Sequence, residues 1–388
     1  MTPRQTKATA TEKGPKTAKA GESTQVAKAA KATNATKATK AAKSTKTTKA
    51  TKATRVTKAA ESTKTTKTTK ARSGSSSDGA SRTMVEIDGH ELALSNLDKV
   101  LYPDSGFTKG DVIDYYVRVA PVLLPHLADR PLTMRRFPDG VDGQSFYAKH
   151  LPRGTPPWIR HAPMPRSPGS RDPSPVEFVI LGDLGSLVWA ANLASLEIHV
   201  PMWRIGADDR PEPPDLMVFD LDPGPPATIV ECSQVALILA EVLRETRGLE
   251  AYPKTSGSKG MQVYMGLPPE ARSKTWEAGR PREEAKVLAE ELAQQHPDLI
   301  VSNMSKDLRA GRVLIDWSQN HVAKTTIAPY SLRARPEPTV STPLTWEEVA
   351  RCAQGGDGAA EELRFLPDAV LERIDRLGDL YSRLEDDA

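Results

Sequence analysis

The chain has 388 residues, a hydrophobic fraction of 38% and a formal net charge of +3 at pH 7, which suits an enzyme-sized protein of one large or two modest domains. Its two cysteines, Cys232 and Cys352, form no Cys-x-x-Cys pair, which excludes a cysteine zinc cluster and makes a reduced, cytoplasmic compartment the expectation. The most apolar run, Val179 to Ile198, is broken by Asp183 and Asn192, and the N-terminus has no apolar signal block, so neither a membrane span nor a secretory leader is expected.

The near-neutral total hides two opposite halves. Residues 1–72 hold 19 Lys and Arg against three acids, +16, which leaves 34 bases against 47 acids, −13, for the rest. This first segment is a loose repeat of Lys-Ala-Thr and Lys-Thr-Thr units with almost no large apolar side chains, so burial cannot offset the entropy of ordering it. It resembles the basic tails of histone H1-like proteins. A polyelectrolyte arm that displaces counterions from DNA is one reading, and a solubilising tail without a partner is the other. With the Ser/Gly linker that follows, residues 1–80 are expected to be a disordered tail and residues 81–388 a folded catalytic domain.

Thr108 predicts a helix N-cap, followed by the helical spacing of DVIDYYVRVAPVLLPHL, in which Pro121 is expected to bend or end the first segment. LTMRRF, EIHVPMW, DLMVFDLD, MQVYMGL and RVLIDW read as strands, and Ile229 to Arg247 and Arg282 to Gln295 as helices. Pro-rich loops such as RHAPMPRSPGSRDPSP separate the elements. The interleaving predicts an α/β or α+β architecture. Cys232, Cys352 and the acidic C-terminal helix read as structural.

LMVFDLDPGP sets Asp220 and Asp222 one residue apart in an apolar strand. Side chains at i and i+2 leave the same face, roughly 7 Å apart at their Cα atoms. Converging carboxylates repel unless a cation neutralises them, although acids beside a Pro-Gly turn also end strands in water. Asp316 in RVLIDWSQN again interrupts an apolar strand. Three such acids suit a pair of divalent ions about 3.5–4 Å apart, the arrangement of phosphoryl-transfer sites. Between them, KTSGSKG offers backbone N–H groups, the Ser256 hydroxyl and the Lys259 charge in a form that suits a triphosphate; an ordinary hairpin turn is the other reading.

EIHVPMWR, LMVFDLDPG, KTSGSKG, LRAGRVLIDWSQN and KTTIAPYSLRAR, in that order, closely resemble the polymerase domain of bacterial ligase D, of the archaeo-eukaryotic primase superfamily, from about Leu92 to Arg335. The resemblance implies an α+β primase-polymerase fold with mixed sheets and flanking helices. It makes Asp220, Asp222 and Asp316 the catalytic acids that hold Mn²⁺ or Mg²⁺. His199, Ser256, Lys259, Gln319 and Arg333 become nucleotide contacts. Lys99 and Lys109 would grip a DNA 5′-phosphate, Lys109 just inside a helix start whose free N–H groups favour an anion. Phe146 and Tyr147 would stack on the template, with packing as their alternative role.

Two departures stand out: Gln262 occupies the position where the family's turn commonly has histidine, and no Lys-x-Asp-Gly ligase signature is present, so a stand-alone polymerase is expected. The implied activity is ribonucleotide-favouring gap filling or end extension during double-strand-break repair. DNA and nucleoside triphosphates would be its substrates, a Ku-like end-binder and a separate ligase its partners, and the nucleoid its location. The rivals are a catalytically weak scaffold for 5′-phosphorylated ends, a primer-synthesising primase, and a metal-dependent nuclease, which would not need the triphosphate-type turn. HELAL at His90 does not make a zinc protease, because Leu94 replaces the second histidine.

Overall fold

A computed structural model describes residues 82–164, 174–275 and 279–386. The tail and linker expected over residues 1–80 and part of the Pro-rich loop after Arg160 lie outside the described residues.

The described chain begins with β1 (Arg82–Ile87), β2 (His90–Ser95), β3 (Val100–Tyr102) and β4 (Phe107–Thr108). Next come α1 (Lys109–Leu127), β5 (Thr133–Arg136), β6 (Phe146–Ala148), β7 (His161–Met164), β8 (Val176–Val179), α2 (Leu184–Asn192) and β9 (Ser195–Val200). Then follow β10 (Leu216–Pro223), α3 (Ile229–Arg247), β11 (Tyr252–Thr255), β12 (Met261–Gly266), α4 (Arg280–Gln295), β13 (Ile300–Val301), β14 (Val313–Asp316) and β15 (Thr326–Ile327). The helices α5 (Trp346–Ala353), α6 (Pro367–Leu377) and α7 (Ser382–Asp386) close it. This is the expected α+β class.

Two sheets carry the architecture. One runs β11-β12-β10-β14-β13, antiparallel except for the β13–β14 edge, and the other runs β15-β9-β5-β6, antiparallel throughout. β10 pairs on both sides and is apolar through Leu216–Phe219, all buried, which places it centrally. Helix α3 covers the face that Phe219 and Leu221 enter, with Cys232, Val235, Ala236 and Leu239 in the same core. The sheets are tied by a buried ion cluster: Arg130, just before β5, donates both guanidinium arms to Asp215 at 2.8 Å, and Arg204 adds a third bond at 2.7 Å.

Local signals explain the helix starts. The Thr108 hydroxyl accepts from the Asp111 amide at 3.2 Å and Asp111 accepts from the Thr108 amide at 2.7 Å, a reciprocal capping box, and Thr228 with Glu231 repeats it on α3. Pro121 does not end α1, which is continuous to Leu127. The buried stripe of Val112, Tyr115, Tyr116, Val119, Leu123 and Leu127 spans the proline, and Tyr115 and Tyr116 donate to the Tyr330 and Leu196 carbonyls at 2.7 and 2.8 Å. Tertiary packing on both sides of the break outweighs the lost helical bond. Among the described residues no helix is long and apolar enough to cross a membrane.

Candidate active site

The two-residue period of β10 does what its sequence predicts: Asp220 and Asp222 leave one face while Phe219 and Leu221, both fully buried, leave the other. Asp316 ends β14 directly opposite Asp220 in the ladder. The three predicted acids are therefore brought together from two neighbouring strands. Burial and the Asp222 charge push the Asp220 carboxyl up to about 7, and Asp222 is raised by burial and by Asp316.

Their oxygens are drawn onto protein donors. Asp220 Oδ1 accepts from Gln262 Nε2 at 3.0 Å; Asp316 accepts from the Ser318 amide and hydroxyl at 3.0 and 2.5 Å and from Gln319 Nε2 at 2.9 Å. Among the described residues no three His, Cys, Asp or Glu side chains stand gathered as a ready metal cage. The donor set nevertheless fits a hard divalent cation, because burial and the neighbouring carboxylates hold Asp220 and Asp222 above the usual carboxylate range, a cost that a cation on these oxygen donors would relieve.

His199 lies on β9, beside Thr133 of β5 and Ile327 of β15. Its Nε2 meets Glu197 Oε2 at 3.0 Å. Glu197, 1% exposed, also accepts from Arg333 Nε at 3.2 Å, Arg135 at 3.4 Å and the Ala334 amide at 3.1 Å, and against the effect of burial the His199 hydrogen bond, Arg333 and the Ala334 amide hold its carboxyl down at about 2. Arg333 reaches on to the Ser256 carbonyl at 2.7 Å, so His199, Arg333 and the 256–260 turn form one group. Beside them Thr133 Oγ1 and Arg135 Nε are buried without a hydrogen-bond partner among the described residues, polar capacity left over for a ligand. Burial holds the His199 imidazole below its usual pKa.

The Ser256–Gly260 turn joins β11 to β12, so it is a hairpin turn and a polar tip at once. The Ser256 hydroxyl is spent inside it, accepting from the Ser258 and Gly260 amides at 3.3 and 3.2 Å. Gly260 is needed for close approach: a Cβ there would lie 2.1 Å from the Leu221 carbonyl oxygen. Lys259 is exposed and lines, with Ser258, Arg335 and Pro223, a cavity of about 680 Å³ that Asp220, Asp316, His199 and Arg333 do not line. Gln319, expected at the nucleotide, donates its Nε2 to Asp316.

A second cationic group gathers around the start of α1. Lys109 donates its amide to the Lys99 carbonyl at 2.8 Å and its Nζ to the Ser95 carbonyl at 2.7 Å, and Lys99 Nζ meets Asp139 at 2.8 Å. Burial, and after it the charges of Lys99 and Arg136, lower the Lys109 amine to about 8. Arg136 also lies over the Phe146 ring at 5.2 Å, and Arg135 over Tyr147 at 5.5 Å. Phe146 and Tyr147 are 45% and 58% exposed and belong to no core cluster. Sequence reasoning missed Glu197, Arg135, Arg136 and Lys254; the only signal for Glu197 is its i, i+2 spacing from His199.

The described chain superposes on the polymerase domain from Mycobacterium tuberculosis ligase D in complex with DNA, with a TM-score of 0.68 and 41% identity, over 76% of this chain and 99% of that one. The fold is therefore that of a ligase D-type polymerase domain. Residues 108–381 match the family described as LigD, primase-polymerase domain, and the chain belongs to it. The multifunctional non-homologous end joining protein LigD of Mycolicibacterium smegmatis is 42% identical over 301 residues, 76% of this chain and 36% of that protein. The bifunctional non-homologous end joining protein LigD of Bacillus subtilis is 31% identical, over 76% of this chain and 45% of its own length. The chain thus spans less than half of these relatives.

Proposed function

We propose that this chain is a DNA-directed nucleotidyltransferase of the primase-polymerase type that fills short gaps or extends DNA ends during double-strand-break repair, favouring ribonucleotides. The observation that carries the reading is the union of an acidic row, Asp220, Asp222 and Asp316, with a phosphate-seeking group, His199, Arg333 and the 256–260 turn, in a member of the LigD primase-polymerase family. Asp220, Asp222 and Asp316 would hold Mn²⁺ or Mg²⁺, which when bound supplies the countercharge that makes a primer hydroxyl nucleophilic and steadies departing pyrophosphate.

The chain's own groups do the rest. Arg333, His199 and Lys259 bind the triphosphate, the first two held in place by Glu197. Lys99 and Lys109 hold the 5′-phosphate across the gap. Phe146 and Tyr147 present exposed rings on which a template base stacks, and the arginines over them add contacts to its backbone. The +16 segment over residues 1–72 raises affinity for any DNA. A Ku-like end-binder and a separate ligase complete the repair reaction, on DNA in the cytoplasm.

The test is extension of a primer across a short gap bearing a downstream 5′-phosphate, with Mn²⁺ and either ribo- or deoxyribonucleotides. Extension by the wild type that is absent from Asp220→Ala/Asp222→Ala is expected. A folded wild type that binds the gapped duplex but adds no nucleotide would leave the end-binding scaffold instead.

A further inference from the structure

Lys254, Gln262, Asp220 and Asp316 are successive ladder partners across β11, β12, β10 and β14, so one row of side chains crosses four strands. Its outer member is a lysine with 0% exposure whose hydrogen-bond partners among the described residues, Gln262 Oε1 and the Ser341 hydroxyl, are both neutral. Burying a cation this way is costly unless its position does something a leucine could not.

The hydrogen bonds along the row run in one direction, from Lys254 towards Asp220. The Ser341 hydroxyl donates to the Thr255 carbonyl at 2.9 Å, so towards Lys254 it acts as acceptor, at 2.7 Å. Lys254 Nζ, which burial holds well below the usual amine pKa, donates a second hydrogen bond to Gln262 Oε1 at 2.6 Å and sits 5.4 Å from the centre of the Tyr264 ring. With its oxygen engaged there, the Gln262 amide turns Nε2 outward, where it donates to Asp220 Oδ1 at 3.0 Å. Without Lys254 the amide is free to flip, and its oxygen would then face a carboxylate.

We infer that Lys254, acting through Gln262, is a positioning residue: it sets the Gln262 amide so that the Asp220 carboxylate is held by one oxygen and keeps the other for a divalent cation. This rests on the proposed reading of the acidic row as a metal site. Gln262 is 4% exposed and Tyr264 closes over its oxygen at 3.5 Å, so bulk water does not supply substitute bonds. The relay needs one acceptor and one donor atom at position 262, a pair that a neutral imidazole also offers.

The experiment is Mn²⁺ binding without nucleotide, read from the free-ion electron paramagnetic resonance signal, with a melting curve for each protein. Wild type is compared with Asp220→Asn, Gln262→Met, Gln262→His and Lys254→Met. Gln262→Met and Lys254→Met should weaken Mn²⁺ about tenfold, the scale for losing a group that orients a metal ligand, while Gln262→His keeps wild-type affinity. If Lys254→Met does not fold, Gln262→Met against Gln262→His decides. A folded Gln262→Met that binds Mn²⁺ as tightly as wild type, even at a lower melting temperature, overturns the relay alone. Wild type binding no better than Asp220→Asn overturns the metal reading of the row, and the relay with it.

Discussion

Glu197 is the residue on which the cationic side of the site depends. Its carboxylate is the shared partner of Arg333, His199 and Arg135, so its loss leaves three basic groups facing one another under the protein surface. Its folded pKa, about 2, lies below the ordinary glutamate value of 4.5, so its contribution is fully present above pH 4.5 and is lost as pH falls through 2. At neutral pH that contribution is on the order of 3 kcal/mol. Glu197→Gln should lose about that much in denaturant unfolding at pH 7, and its acid unfolding between pH 4.5 and 2 should be shallower than wild type. Equal stability at pH 7 would remove Glu197 from this role. Lys109 is lowered as well, but for a cation that shift costs stability at neutral pH. With its amine lowered to about 8, the charged form fades as pH rises through 8, and the preference for a 5′-phosphorylated over a 5′-hydroxyl gapped duplex should shrink between pH 7 and 9.5. Over the window from 8 to 10.5 the unfolded chain binds the extra proton, so stability itself should rise with pH there. Fluorescence anisotropy with both duplexes separates these effects, and a pH-independent preference contradicts the first.

At the scale of elements, agreement between sequence and structure follows how local the signal is. Helix α3 runs Ile229–Arg247 as its periodicity predicts, with Gly248 at φ 64° taking the left-handed C-cap. Helix α2 has no such signature, because Gly185 through Ala191 are all buried and an all-round apolar helix shows no amphipathic period. His161–Met164 forms a strand although Pro163 lies within it, because among the described residues it is an edge strand paired with β8 alone. Pro121 is the clearest case of tertiary override. It is exposed, inside a helix and bonded to nothing through its nitrogen, so Pro121→Ala restores a helical N–H without disturbing the core. The variant should be more stable by about 1–2 kcal/mol, the helical gain less the unfolded-state entropy that proline had removed. A lower midpoint in urea would show that the proline is accommodated at no cost.

For the whole molecule, the charge division matters more than the net charge. A body of −13 repels a polyanion at long range, whereas the +16 segment over residues 1–72 attracts it. Deleting residues 1–72 should therefore flatten the logarithmic dependence of DNA affinity on salt while leaving Mn²⁺-dependent extension at low salt in place. Identical slopes with and without the segment would refute its role as a DNA arm. Much of the site is legible in the sequence for a physical reason: Asp220 and Asp222 share a face because strand side chains alternate with a period of two, and Thr108 and Thr228 cap helices through contacts three residues long or shorter. What the tertiary structure alone decides is which distant carboxylate faces which base. Asp316 stands opposite Asp220 only because β14 chooses β10 as neighbour and in that register, and Glu197 finds Arg333 across 136 residues of chain. The same holds for the row that ends at Lys254. Strand order and register minimise the free energy of the whole core at once, so no local pattern encodes them, and the groups that orient the predicted residues emerge only when the sheets are assembled.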